Sequence, residues 1–233
     1  MSFDANAHRD ASLQGWEEAA PGWVRRQELL RELGAPVSRW MVDTLPLAPG
    51  QRVLELAAGL GETGMLAAEL VAPTGGVIVS DQAEAMLEGA RARAAALGLS
   101  NVEFQVLNAE WIDLPVASVD AALCRWGYML MADPGAALLE TRRVLRPGGR
   151  LALAVWDAIE HNPWARLPAL ELSDRGLAPA PEHAEAGQAA QPRPGPFALG
   201  SSERVSELLA QAGFAEIHVR SMDLQRRHES CQE

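Results

Sequence analysis

Short apolar runs alternate with longer stretches of helical spacing along most of this chain of 233 residues. The first clear run is Val53, Leu54 and Leu56, which follows a Pro49-Gly50 turn signal. Runs this short, bounded by turn residues, read as buried strands. Further runs are Val77 to Ser80 behind Pro73-Thr74-Gly75-Gly76, Val102 to Leu107 with Val102, Phe104 and Val106 alternating, Val119 to Cys124, and Leu151 to Trp156 behind Arg146-Pro147-Gly148-Gly149. Between them lie helical stretches: one ending near Val71, one over Glu84 to Leu97 stopped by Gly98, and one from about Gly135 to Leu145 behind Asp133. This alternation predicts an α/β fold. Its sheet is doubly wound and mostly parallel, with right-handed crossovers and helices on both faces.

The two ends read differently. Residues 1–20 are polar and small, a loose arm or a short helix anchored by Trp16 and Trp23. Val24 to Leu33 has helical spacing and a stop at Gly34, and Val37 to Leu45 reads as a second helix. Residues 1–45 are therefore expected to form an N-terminal helical cap on a domain spanning 46–233. After the fifth strand, 157–200 turns rich in Ala and Pro. Within it Asn162 to Leu172 reads as a helix and the rest as an irregular, lid-like insertion. Ser202 stands where it can cap a helix over Glu203 to Ala212, and Phe214 to Leu224 reads as a sixth strand.

The candidate chemistry gathers around the first strand. Gly59, Gly61 and Gly64 follow it, and an apolar helical run, Met65 to Leu70, follows them. Strand, glycine loop and helix open a nucleotide-binding, Rossmann-like βα unit, in which a ligand lies against bare main chain and the helix N-terminus. Two acids narrow the ligand. Asp81 ends the second strand, where a carboxylate accepts both hydroxyls of a ribose, in charge-assisted bonds worth about 1.5–3 kcal/mol each. Glu55 lies inside the first strand. The glycine spacing alone also satisfies a dinucleotide fingerprint, but a carboxylate at Glu55 repels pyrophosphate and suits the ammonium group of S-adenosylmethionine (SAM).

The edge of the sheet supplies further candidates. Asn108-Ala109-Glu110-Trp111 follows the third strand at the edge where open α/β sheets bind ligands. Asn108 can accept from an adenine amino group while the Ala109 N–H meets a ring nitrogen; a plain strand cap is the equal alternative. Met86 either touches the base or packs the core, the commoner role of Met at helical spacing. Arg125-Trp126-Gly127-Tyr128 ends the fourth strand. Aromatic faces there can stabilise a sulfonium by up to about 2 kcal/mol, or simply pack the next helix. His161, Tyr128 and His8 are candidate bases by location alone.

Composition removes several classes. A formal net charge of −11 opposes a general nucleic-acid surface and an anionic membrane surface. Arg142, Arg143 and Arg146 cluster, but a solvated helix face accounts for them. Cys124 and Cys231 are the two cysteines, too few and too far apart for a disulfide framework or a metal site. No run approaches the roughly 20 apolar residues of a membrane span, and the N-terminus lacks signal-peptide order. A reducing cytoplasm fits these features.

The chain resembles the class I SAM-dependent methyltransferases, within them the ubiquinone/menaquinone-biosynthesis-like (type 11) group, over about residues 35 to 220. The motifs are VLELAAGLGETG (53–64), SDQAEAML (80–87), NAEWIDLP (108–115), SVDAALC (118–124) and RRVLRPGGRLALAVW (142–156). The resemblance implies SAM as cofactor, with Glu55, Ala57 and the Gly59–Gly61 loop holding its methionine part. Asp81 takes the ribose, Gln82 and Met86 flank the base, Asn108, Ala109 and Glu110 lie around the adenine, and Arg125 joins the cofactor-binding set. It implies methyl transfer to a small-molecule acceptor, quinone- or phenol-like. Two departures stand out. Asn108 replaces the usual Asp, and only RRHESCQE follows the sixth strand where relatives add a final antiparallel strand. That strand is expected to be missing, and an uncovered sheet edge would favour a homodimer. The rival readings are an NAD-dependent oxidoreductase and a non-catalytic SAM-fold binding protein.

Overall fold

The computed structural model describes residues 3–177 and 193–225. Its sheet has five strands, β1 (Arg52–Glu55), β2 (Gly76–Asp81), β3 (Val102–Val106), β4 (Val119–Arg125) and β5 (Leu145–Ala154), in the order β3-β2-β1-β4-β5. Every pairing is parallel. β1 is central, paired to β2 on one side and to β4 on the other, so the strand order reverses there. Such a switch point opens a crevice outside the carboxyl ends of the strands.

The helices are α1 (Ala5–Arg25), α2 (Gln27–Asp43), α3 (Glu62–Val71), α4 (Glu84–Leu97), α5 (Pro134–Val144), α6 (Pro163–Asp174) and α7 (Ser202–Gln211). Side-chain alternation along each strand divides the core into two layers. Val53, Val77, Val79, Ala121 and Leu123 pack under α2, α3 and α4. Leu54, Ile78, Ala122 and Cys124 face the other way, against α5 and α7. Both faces are thus covered, which is why the inner strands β1, β2 and β4 carry near-continuous apolar runs.

Most predicted elements fall within a residue or two of their expected bounds. The N-terminus differs. Residues 5–25 form one long helix, because the Asp4 carboxylate caps it by accepting from the Asn6 and Ala7 amides. The break falls at Arg26, and α2 runs on through Gly34 and Pro36. Gly34 is therefore no helix stop. A side chain there would overlap the Arg125 guanidinium. The predicted Arg146–Gly149 turn is absorbed into β5 as an irregularity in its register against β4. Ser201, rather than Ser202, caps α7 by accepting from the Arg204 amide.

The predicted sixth strand does not form over Phe214–Leu224. Glu216 has a positive φ of 53°, which breaks an extended run, and among the described residues no neighbouring strand supplies ladder hydrogen bonds to the segment. Among the described residues β5 has one strand neighbour, β4. The tail from residue 226, on which the missing-strand expectation turns, lies outside the described residues, as does 178–192 of the expected lid.

The central strand places Val53 in one layer of the core and Leu54 in the other. Leu54→Ala, at a fully buried position, should lower the free energy of unfolding by about 2–5 kcal/mol. Val106→Thr, at an exposed end of β3, should change it by less than about 0.5 kcal/mol. Denaturant melts of the two variants check both values.

Candidate functional site

The glycine loop is held open by backbone geometry. Gly59 and Gly61 have φ of 54° and 76°, and Ala57, a non-glycine, has φ 49°. Gly61 ends the loop as the left-handed residue before α3, with no side-chain cap on the helix. The Thr63 and Gly64 amides, in the first turn of α3, meet the Glu55 carboxyl at the end of β1.

Glu55 sits there, 2 % exposed. Gly64 makes room for it, since a Cβ at that position would collide with the Glu55 carboxylate. Burial raises its pKa to about 7, against the opposing pull of the Arg125 guanidinium and the Gly64 and Thr63 amides. Its Oε2 is buried and has no hydrogen-bond partner. The same is true of Arg125 Nη1 at the end of β4. Burial lowers the pKa of Arg125, with Glu55 and then Glu62 opposing.

Asp81 is 7 % exposed, and burial raises its pKa, opposed by the Ala83 and Gly59 amides. Its Oδ2 accepts from the Gly59 N–H at 2.8 Å and its Oδ1 from the Ala83 N–H at 3.0 Å. The acid at the tip of β2 is thereby fixed against the glycine loop. Each oxygen keeps a further lone pair for a ligand hydroxyl.

Helix α1 crosses the same edge. The His8 ring Nε2 lies 2.9 Å from the Leu130 carbonyl, and Arg9 pairs with Glu110. Gln82 donates to Ser12 Oγ at 3.0 Å. The Glu17 carboxylate accepts from the Glu84 and Ala85 amides and so caps α4 from outside. Trp23 lies over Gly59. Arg9, Ser12 and Glu17 are invisible to a reading of residues 1–20 as a loose arm or a short helix. Asp4 followed by an unbroken helix-compatible run was the signal that could have found them.

The structure thus brings Glu55, Ala57, Gly59, Gly61, Asp81, Gln82 and Arg125 to one edge and gives several other candidates local duties. Met86 is 1 % exposed, among Ala20, Leu60 and Ala83, with Trp16 and Trp23 packed against them, a core position. Asn108 accepts from the Glu110 amide at 2.9 Å, a local turn contact. Glu110 is buried, with Arg9 on one oxygen and the Ala132 amide on the other, and Ala109 is buried beside it. Tyr128 is no exposed base. Burial raises its phenol well above the ordinary range, and its oxygen lies 2.7 Å from Thr141 Oγ1. His161 is exposed and paired to Asp157.

Beyond β4 the edge becomes aromatic. Trp126 and Trp156 stack with centroids 4.8 Å apart and planes 7° apart. Trp164 lies 5.2 Å from Trp156 and Phe197 6.0 Å from Trp164. These rings line one end of a trough that also runs along β5, α2 and the 214–225 segment. The trough holds about 3750 Å³, several times the roughly 300–1,000 Å³ of a small-molecule site. It is an open space between elements, of which the aromatic end is the part adjoining Arg125.

Comparison with known proteins agrees with this geometry. A family described as "Methyltransferase domain" matches residues 47–213. A 37.1 kDa transposon-encoded protein of Streptomyces fradiae is 36 % identical over 163 residues, covering 67 % of this chain and 47 % of the relative. The ubiquinone/menaquinone biosynthesis C-methyltransferase UbiE of Escherichia coli is 36 % identical over 114 residues, covering 48 % of this chain and 45 % of that protein. The chain spans about half the length of the curated relatives it matches. A SAM-dependent methyltransferase from Aquifex aeolicus has the same fold, with a TM-score of 0.52, 22 % identity and coverage of 91 % of this chain and 89 % of its own. With a glycine loop between two buried acids on a parallel sheet, and a family match over most of its length, the chain belongs to the class I SAM-dependent methyltransferases.

Proposed function

We propose that this chain transfers the methyl group of SAM to a small-molecule acceptor with a phenol- or quinone-like ring. The observation that carries the reading is Glu55, a buried carboxylate with an unpartnered oxygen beside the glycine loop. An ammonium group satisfies that oxygen, whereas a pyrophosphate would be driven off by it. This favours SAM over a nicotinamide dinucleotide on the same loop. The remaining residues fit the cofactor too. Asp81 is held facing the loop with lone pairs to spare for the ribose, and Gln82 follows it.

When bound, SAM supplies an electrophilic methyl on a sulfonium, and its thioether leaves without charge. The protein's work is then chiefly positioning and exclusion of water. Glu55 and Asp81 fix the two ends of the cofactor. The stacked Trp126–Trp156 pair, with Trp164 beside it, gives the trough an aromatic end against which an aromatic acceptor packs, a contact worth about 0.5–1.5 kcal/mol beyond simple burial. The quinone-like acceptor is supported by those rings and by the name of the UbiE relative. Residues 1–45 act as a cap, through the α1 contacts to the loops, and α6 with Phe197 as the acceptor wall. No helix among the described residues is long and apolar enough to cross a membrane. Together with the acidic charge, this supports a cytoplasmic enzyme acting on small molecules and not on nucleic acid. The lone-neighbour edge of β5 supports pairing with a second copy.

Transfer of radiolabelled methyl from SAM to a panel of hydroquinones, phenols and amines tests the activity. Label on a ring acceptor is the expected result; label on none of them in a folded, SAM-binding sample would overturn the acceptor. Asp81→Ala should weaken SAM binding more than tenfold in calorimetry, and an unchanged affinity would remove Asp81 from the site. Binding should also depend on pH. The free protein's Glu55 titrates near 7, and only its ionised form meets the ammonium. SAM affinity should therefore rise by up to tenfold per pH unit as pH climbs towards 7. It should then level, and fall above about 8 as the ligand's α-amino group loses its proton. Glu55→Gln should abolish the rise below 7. Calorimetry in buffers spanning pH 5.5 to 8.5 measures both limbs.

A further inference from the structure

A carboxylate and an imidazole stand together at the aromatic end of the trough. Trp156, whose ring stacks on Trp126, is followed directly by Asp157. The chain then makes one tight turn, Ile159–His161. That turn brings His161 Nδ1 to 3.0 Å from Asp157 Oδ2. Both residues border the trough together with Trp126, Trp156 and Trp164. The His161 side chain is 69 % exposed, so a molecule in the trough can reach it.

The turn is braced from several sides. Asn162, 6 % exposed, donates through its amide nitrogen to the Asp157 and Ala158 carbonyls, each at 2.9 Å. Its oxygen accepts from the Trp164 indole N–H at 3.2 Å. One buried amide therefore ties the backbone of the pair to the aromatic wall. Gly200 lies against the same turn, where a Cβ would come within 2.7 Å of the Ala158 nitrogen. The Ala158 N–H donates to Asp157 Oδ1 at 2.7 Å, which fixes the carboxylate. Asp157 in turn sets the tautomer of the neutral His161 ring. A carboxylate only accepts, so the proton sits on Nδ1 and Nε2 is left as a base. The other candidates lack this arrangement. His8 has its Nε2 on the Leu130 carbonyl, and Tyr128 is buried against Thr141. His218 also borders the trough, but among the described residues no carboxylate orients it.

We propose that His161, oriented by Asp157, is the general base of the transfer, and that the acceptor is a phenolic hydroxyl methylated on oxygen. The assignment rests on the methyl-transfer reading above and adds to it the base and the attacked atom. A neutral hydroxyl must shed its proton as it attacks, and a positioned imidazole takes it. The acceptor oxygen bonds to the methyl carbon while the carbon–sulfur bond breaks, and that electron pair stays on sulfur. The hydroxyl proton passes to His161 Nε2, and the imidazolium so formed stands beside the Asp157 carboxylate. Water then carries the proton off the exposed ring, which restores the base. Asp157 and Asn162 are positioning residues, acting through His161.

The test compares methyl transfer to a weakly acidic phenol with transfer to a nitrophenol already ionised at the assay pH. The whole chain is used, as wild type, His161→Gln, His161→Ala, Asp157→Asn and His218→Gln. Products are identified by mass spectrometry, SAM binding is followed by calorimetry, and thermal melts verify folding. On the weakly acidic phenol His161→Gln should lower kcat by about 100-fold or more, the scale of general-base catalysis. SAM affinity should not change. On the ionised acceptor the loss should stay within about threefold, since no proton remains to be taken. Added imidazole should restore part of the rate to His161→Ala, Asp157→Asn should fall between His161→Gln and the wild type, and His218→Gln should match the wild type. If the His161 variants fail to fold, Asp157→Asn, which leaves the ring in place, gives the same comparison of acceptors. A merely structural role lowers the rate on both acceptors equally, and that result overturns the assignment. So do a His161→Gln rate within about threefold of the wild type on the weakly acidic phenol, and methylation on ring carbon alone. A wild type that binds SAM but methylates no ring removes the acceptor reading itself, and this assignment with it.

Discussion

The arrangement depends on one constraint, a carboxylate held inside the central strand of the sheet. Glu55 is surrounded by the apolar layer under α2 and α3, and water does not reach it. Its burial is strong enough to move its protonation to about pH 7, so electrostatics alone would not place it there. Much nearby accommodates it. Gly64 leaves its side chain space, and the first turn of α3 turns free amides towards it. Ser38 on α2 and Thr63 on α3 hydrogen-bond at 3.0 Å, tying the two helices that close the layer. Arg125 provides the counter-charge at a remove, and α2 narrows to Gly34 where the guanidinium passes. A protein built only for stability would replace such a pair with apolar side chains at little loss.

The two ends of the ligand edge differ in how far the protein satisfies itself. On the side of Asp81 and Glu110, polar groups already have partners in the chain. Asp81 is tied to the Gly59 and Ala83 amides, Glu110 to Arg9, and Gln82 to Ser12. These contacts preset the loops after β2 and β3 and hold α1 across them. On the side of Glu55 and Arg125 the unpartnered atoms remain. Groups that the chain itself satisfies thus sit beside charges with buried atoms that have no partner among the described residues. The aromatic edge at Trp126 and Trp156 continues from Arg125, away from Asp81, and it is there that the proposed acceptor would lie.

Much of this was legible because its signals are local. A short apolar run between turn residues gives a strand. Three glycines between a strand and a helix give the loop, and the acid closing the second run gives Asp81. What was missed depends on contacts between distant parts of the chain. Gly34 read as a helix stop because its reason is Arg125, far along the sequence. Residues 1–20 read as an arm or a short helix, with no site role, because their partners, Leu130, Glu110 and the N-terminus of α4, lie far along the chain. Phe214–Leu224 has a strand-like composition but, among the described residues, no neighbouring strand, and Glu216 leaves the extended region. Asn108 and Met86 each had two uses open to them; Met86 lies in the core beside Ala20, Leu60 and Ala83, and Asn108 accepts from the Glu110 amide.

The central claim is that the loop between Glu55 and Asp81 is a SAM site. Equilibrium calorimetry of the folded chain with SAM and S-adenosylhomocysteine, with NAD as control, addresses it most directly. The account predicts micromolar or tighter binding of both sulfur ligands and none of NAD. Binding of NAD without SAM, or of neither by a sample that melts cooperatively, would contradict it.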